Sequence, residues 1–167
     1  MADRHPPDVS GGPWVDVLVC DGQRGNAMMQ LAMYKGPPSD FWHKVGHEGT
    51  KVFTGSKYSH CELVINGTCC SSSSRDGGVR FKNIDLTSGK WDVFTIAADE
   101  ARAWDWFCSH AGEGYDWAGI WRFLIPLLPH KSNQWFCSEA CAAALDLSNP
   151  EDYSPQMLFE RLVGFSD

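Results

Sequence analysis

The stretch KYSHCELVINGTCCSSS, residues 57–73, limits the possible folds of this chain more than any other. It consists of two β-favouring runs joined by Asn66-Gly67, the dipeptide best suited to the two positive-φ positions of a tight hairpin turn. A two-residue loop sets Ile65 opposite Thr68. Counting back then places Glu62 opposite Ser71 and His60 opposite Ser73. Because side chains alternate along a strand, Tyr58, His60 and Glu62 share one face while Cys61, Leu63 and Ile65 share the other. The apolar set must meet the core, which leaves an imidazole and a carboxylate together on the opposite face.

Around this hairpin the pattern predicts further strands over 14–22 (WVDVLVCDG), 78–84 (GVRFKNI) and 90–96 (KWDVFTI), each bounded by turn-forming residues. RGNAMMQLAMYKG, residues 24–36, reads as a short helix ending at Gly36. From Asp99 the spacing of Ala101, Trp104, Cys108 and Ala111 is helical and stops at Gly112 and Gly114. Asn133 is placed to cap a helix from about Gln134 to Leu145, and Ser154-Pro155 offers an N-cap and first-turn proline for a last helix. Residues 1–13, rich in proline and polar turn-formers, read as an irregular arm. The rest, 14–167, is one domain, with strands and helices segregated as in an α+β fold around an antiparallel sheet.

Composition closes off several function classes. A net charge of −7, from 14 Lys+Arg against 21 Asp+Glu, lacks the basic face that nucleic acid requires. The most apolar run, IWRFLIPLLP at 120–129, is too short to span a bilayer and carries an arginine and two prolines. The opening residues hold no apolar segment of signal-peptide length, so the expectation is a protein made in the cytoplasm without stable membrane insertion. Seven cysteines, an odd number lying mostly in apolar elements, read mainly as reduced core residues and not as a disulfide framework.

Cys137 is the residue with chemical promise. In the first turn of a helix, free N–H groups and the positive end of the dipole favour a thiolate. A nucleophilic thiol also needs a base, and His60 with Glu62 beside it supplies a candidate. From the residues alone, a cysteine on an alanine-rich helix is more often a packed small hydrophobe than a nucleophile, and a metal ligand is the third alternative. Zinc bound by His60, Cys61, Cys137 and Cys141 is disfavoured because His60 and Cys61 point to opposite faces. Cys141, one turn below Cys137, reads as helix packing, and Cys69 and Cys70 point to opposite sides of a strand. His43 and His47 lie among glycines that favour a loop, so no metal or other cofactor is expected. Trp104, Trp106 and Phe107 read as core and rim. Trp117 and Trp121 could line a cleft or simply pack.

Beyond this residue-level reading, KYSHCELVING, GGVRF, GEGYDWAG, WFCSEACAAAL and YSPQMLFERL together resemble the circularly permuted branch of the NlpC-type papain-like cysteine peptidase and amidase superfamily, in which the histidine strand precedes the cysteine helix. The resemblance implies a papain-like α+β fold with a central antiparallel sheet packed against helices. It also implies Cys137 as nucleophile, His60 as its base and a peptide or peptidoglycan-type amide as substrate. A third polar group orients the histidine in that family. The hairpin register puts Ser73 there, with Glu62 as a substitute able to reach back along its own strand. Tyr115 matches the tyrosine lining the nucleophile's pocket, and Trp117, Ser138 and Glu139 are the adjoining substrate-contact candidates. RDGGVRFK is similar to permuted members encoded by tailed bacteriophages, which implies a virion-associated or delivered form. Related permuted folds include acyltransferases and thioesterases acting on lipids, for which the 123–129 segment would serve. A non-catalytic binding protein retaining the fold is the third reading.

Overall fold

The Asn66-Gly67 turn forms as its sequence requires, with φ of 49° and 79° at the two residues. In the computed structural model, which describes residues 29–35, 57–116 and 133–164, it joins β2 (His60–Ile65) to β3 (Thr68–Ser73). The pairing Ile65–Thr68, Val64–Cys69 and Leu63–Cys70 is the expected register. Before the hairpin lies β1 (Gln30–Tyr34). After it come β4 (Gly78–Lys82), β5 (Trp91–Thr95), α1 (Glu100–His110), β6 (Gly114–Tyr115), β7 (Gln134–Trp135), α2 (Cys137–Ala144) and α3 (Pro155–Leu162). Among the described residues the strands form one seven-stranded sheet in the order β5-β1-β2-β3-β4-β6-β7. With its helices this makes an α+β architecture.

The structure corrects three expectations. Residues 30–34, expected to be helical, form a strand hydrogen-bonded to β2 on one side and β5 on the other. Gln, Leu, Ala and Met favour helix only by tenths of a kcal/mol, and two flanking strands outweigh that preference. The sheet is not wholly antiparallel, since β6 and β7 pair in parallel. Asn133 does not cap the helix containing Cys137. Gln134 and Trp135 are strand, Phe136 is the N-cap residue, and Cys137 is the first helical position. The expected strand at 14–22, His43, His47, Trp117, Trp121 and the 123–129 segment lie outside the described residues.

The odd-numbered positions of β2 face the helices as alternation demands. Cys61, Leu63 and Ile65 join Leu31, Met33, Cys70, Val79, Phe107, Ala140, Cys141 and Leu158 in the main core, with Trp104 and Trp106 packed at its margin. A smaller cluster of Ala32, Val64 and Cys69, flanked by Ile84, Leu86 and Trp91, covers part of the other face. Ser154 caps α3 by accepting from the Met157 N–H, as read from the sequence, and Asp99, where the helical spacing starts, caps α1 by accepting from the Arg102 N–H. Among the described residues the free thiols of Cys61, Cys69, Cys70, Cys137 and Cys141 are all buried. Cys108 is disulfide-bonded and so departs from the reduced reading. No helix among the described residues is long and apolar enough to cross a membrane.

Leu63 is fully buried between β1, β3 and the helices. Leu63→Ala should cost about 2–5 kcal/mol, the range for opening a cavity in a packed core, measured as a lowered urea midpoint. A loss near zero would mean the sheet and helix layers are not packed as described.

Candidate active site

α2 packs on β2 and β3, and its first residue lies where β2 begins. The Glu139 carboxylate accepts from the Phe136 N–H at 3.1 Å, which stabilises this helix start. Cys137, 1% exposed, therefore enters at the position where backbone N–H groups have no intrahelical acceptor and the dipole favours negative charge. His60 opens β2 beside the Cys137 sulfur, and Cys61, next along the strand, lies close enough to stabilise the thiolate as well. Cys61 also contacts Cys141, with the sulfurs 3.8 Å apart.

Charge follows from this geometry. Burial alone would raise the Cys137 thiol. The Cys61 hydrogen bonds and the positive charge of His60 outweigh it and bring the thiol down to about 5. Burial alone would lower His60, but the Cys137 thiolate and then Glu62 outweigh it and raise the imidazole to about 10. Both shifts favour a thiolate–imidazolium pair over a neutral thiol and imidazole. Tyr115, 6% exposed, stands close enough that the Cys137 charge, after burial itself, pushes its phenol upward.

Behind His60 lies a chain of ion pairs. The imidazole Nε2–H donates to Glu62 Oε1 at 2.8 Å. Arg80 grips the same carboxylate at both oxygens, Nη1 to Oε2 at 2.6 Å and Nη2 to Oε1 at 2.5 Å. Arg80 Nε donates to Asp76 Oδ2 at 2.8 Å, and Lys82 Nζ donates to Asp76 Oδ1 at 3.0 Å. Glu62 is fully buried and Arg80 is 5% exposed. Burial would raise the Glu62 carboxyl, yet the Arg80 charge and hydrogen bonds hold it at about 2. The local reason is register. Ala32 pairs with Glu62 and Ser71 pairs with Arg80, while the β2–β3 register continued by one residue sets Glu62 beside Ser71. One row across the sheet therefore reads Ala32, Glu62, Ser71, Arg80, and the small serine between the long side chains leaves the guanidinium room to reach the carboxylate.

The structure thus brings Cys137, His60, Glu62 and Tyr115 together. Ser73, expected to orient His60, lines the adjoining cavity, while Glu62 makes the orienting contact. Glu62 reaches the ring because residues i and i+2 of a strand project side by side. Ser138 is fully buried and donates to the Tyr153 carbonyl at 2.5 Å, and Glu139 serves the helix start, so both have structural work where substrate contact was expected. Arg80 and Asp76 went unnoticed in the sequence. Extending the hairpin register across the Asp76-Gly77-Gly78 turn would have put Arg80 in the row of Glu62.

A cavity of about 460 Å³ opens against this array. Tyr34, Trp91, Tyr115 and Phe136 give it aromatic walls, and Arg75, Lys82, Asp85 and Lys90 are among its charged lining. The indole of Trp91 meets Tyr34 edge-on at 5.0 Å and lies 6.3 Å from the His60 ring. No group of three or more His, Cys, Asp or Glu side chains among the described residues is arranged to hold a metal ion. Comparison with protein families, with curated proteins and with solved structures found no match to this chain.

Proposed function

We propose that this chain is a cysteine hydrolase that cleaves an amide bond of a peptide or peptidoglycan-type substrate, on a papain-like fold of the permuted NlpC type. The observation that carries the proposal is the placement of Cys137 at the first position of α2, beside a histidine whose Nε2 is committed to Glu62; that setting lowers the thiol. With Nε2 occupied, Nδ1 is the ring nitrogen left for the sulfur.

The Cys137 thiolate adds to the scissile carbonyl carbon, and the carbonyl oxygen takes the negative charge. The N–H of Cys137, at the first helical position, is placed to donate to that oxygen. Protonated His60 then gives its proton to the departing amine, the C–N bond breaks and a thioester remains on Cys137. Neutral His60 next takes one proton from water as the water oxygen attacks the thioester, and the tetrahedral intermediate expels the thiolate; the product leaves as the carboxylic acid, which gives the second water proton to solvent, and His60 is left protonated. Glu62 keeps the imidazole oriented and favours its charged form. Tyr115 borders the reacting sulfur.

The predominantly polar cavity beside His60 favours an amide-bearing substrate over a lipid acyl chain. A protein of this activity made in the cytoplasm would act there, or on cell wall once released or carried by a virion. The experiment is mass spectrometry of the Cys137 peptide after incubation with wall-derived peptides and, separately, with acyl esters. An acyl adduct from the peptides that hydrolyses with time, absent in Cys137→Ser, is the expected result. An adduct from the esters alone would transfer the reading to lipid acyl chemistry. No adduct from either substrate, with free Cys137 no more reactive than Cys69 or Cys70, would leave a binding protein.

A further inference from the structure

We propose that Arg80 is a positioning residue for this reaction: its guanidinium, anchored at Nε by Asp76, clamps both oxygens of Glu62 so that Oε1 is held as a fixed acceptor for His60 Nε2–H. The proposal rests on the cysteine-hydrolase reading and adds a residue that touches neither sulfur nor substrate. The physical need is plain. A carboxylate fully removed from water, with only an imidazole beside it, would take the imidazole's proton or turn toward other donors. A bidentate fork satisfies the remaining lone pairs in one plane and sets the carboxylate's rotation, which a single-point cation cannot do.

The charge alternates along the chain of contacts: Cys137 negative, His60 positive, Glu62 negative, Arg80 positive, Asp76 negative, Lys82 positive. Each buried charge has an opposite neighbour, so no excess charge from Arg80 reaches His60 directly. Arg80 acts through Glu62. The other titratable groups beside the dyad are Tyr115 on β6, Cys61 on His60's own strand and Cys141 on Cys137's own helix, and none of them replaces the clamp.

The test is a titration of the Cys137 thiolate by its ultraviolet absorbance, taken as the difference between each protein and the same protein carrying Cys137→Ser, so that reagent access plays no part. Circular dichroism identifies the folded variants. In Arg80→Gln the midpoint should rise by about two pH units or more, leaving about a tenth or less of the thiolate at pH 6. Arg80→Lys retains the buried charge and is the variant that keeps the question open should the glutamine protein not fold. Its ammonium makes one contact where the fork makes two, so its midpoint should lie between wild type and Arg80→Gln. A folded Arg80 variant of either kind that titrates as wild type overturns the proposal, because a residue that merely fills space or steadies the fold would leave the thiol unmoved. His60→Ala separates the two readings. If its midpoint rises while the Arg80 variants stay at the wild-type value, the dyad stands and Arg80 is structural. If His60→Ala leaves the midpoint unchanged, the dyad itself fails.

Discussion

Changing His60 to alanine moves the titration midpoint of the Cys137 thiol from about 5 to the ordinary thiol value of about 8.5 or above. The sign follows from the competing effects. Burial disfavours the thiolate, and once the imidazolium is gone, only the Cys61 hydrogen bonds and the helix start oppose it. Alkylation of Cys137 by iodoacetamide at pH 6 should then slow by a few hundredfold, the ratio of thiolate fractions at those two midpoints. In the unaltered protein, labelling should rise through pH 5 and stay high in alkali. Turnover should instead pass through a plateau, because above about 10 His60 loses the proton that the leaving amine needs. Labelling and turnover thus part company on the alkaline side, which distinguishes an acid–base role for His60 from a purely electrostatic one. An alanine variant still titrating near 5 would leave the helix start and Cys61 as the source of the low value and remove the base from the mechanism.

Gly78→Ala should destabilise the protein by more than about 4 kcal/mol, placing it in the diagnostic tail of single substitutions. Gly78 has φ of 150°, and a Cβ there would sit 1.8 Å from the Glu113 carbonyl oxygen and 2.9 Å from the Gly114 carbonyl carbon. Both obstacles are backbone, so no side chain can swing aside. The joint matters for the site, because Gly78 pairs with Gly114, the Tyr115 N–H donates to the Gly77 carbonyl at 3.1 Å, and β7 leads directly into Phe136 and Cys137. Pushing β6 outward would shift both Tyr115 and the start of α2. Gly77→Ala is the control. Its φ of 85° is also unfavourable for a side chain, but a Cβ there meets nothing within 4 Å, so only a conformational cost of about 1–2 kcal/mol applies. Urea unfolding of the two variants decides the matter. Equal losses at the two positions would mean that the close approach of β4 to the Glu113–Gly114 backbone does not hold the site together.

Much of the candidate site could be read without coordinates, and the reason is locality. The Asn66-Gly67 turn sets a register within eight residues on either side, and that register alone put His60 and Glu62 on one face with Cys61 on the other. Ser154 announced its helix by the same short-range chemistry. The choice between Ser73 and Glu62 was harder, because register tells which residues are level with each other and not which side chain reaches. Counting from the turn sets Ser73 level with His60, but the paired residues of β2 and β3 run only from Ile65–Thr68 to Leu63–Cys70, while Glu62, two residues along the same strand, reaches the ring at 2.8 Å.

The sequence by itself determined the hairpin, the sided distribution of its side chains and the caps of α1 and α3, because each depends on backbone sterics and hydrogen bonds between near neighbours. Tertiary structure decided what no local rule reaches. The helix-favouring QLAMY became a strand because two unsatisfied strands flank it. The helix bearing Cys137 began at the cysteine and not at Gln134, because Gln134 and Trp135 pair with β6. The buried Glu62 found its counter-charge two strands away in Arg80. Burial, which only the assembled layers create, excludes water from these groups and so binds thiol, imidazole, carboxylate and guanidinium into one electrostatic unit.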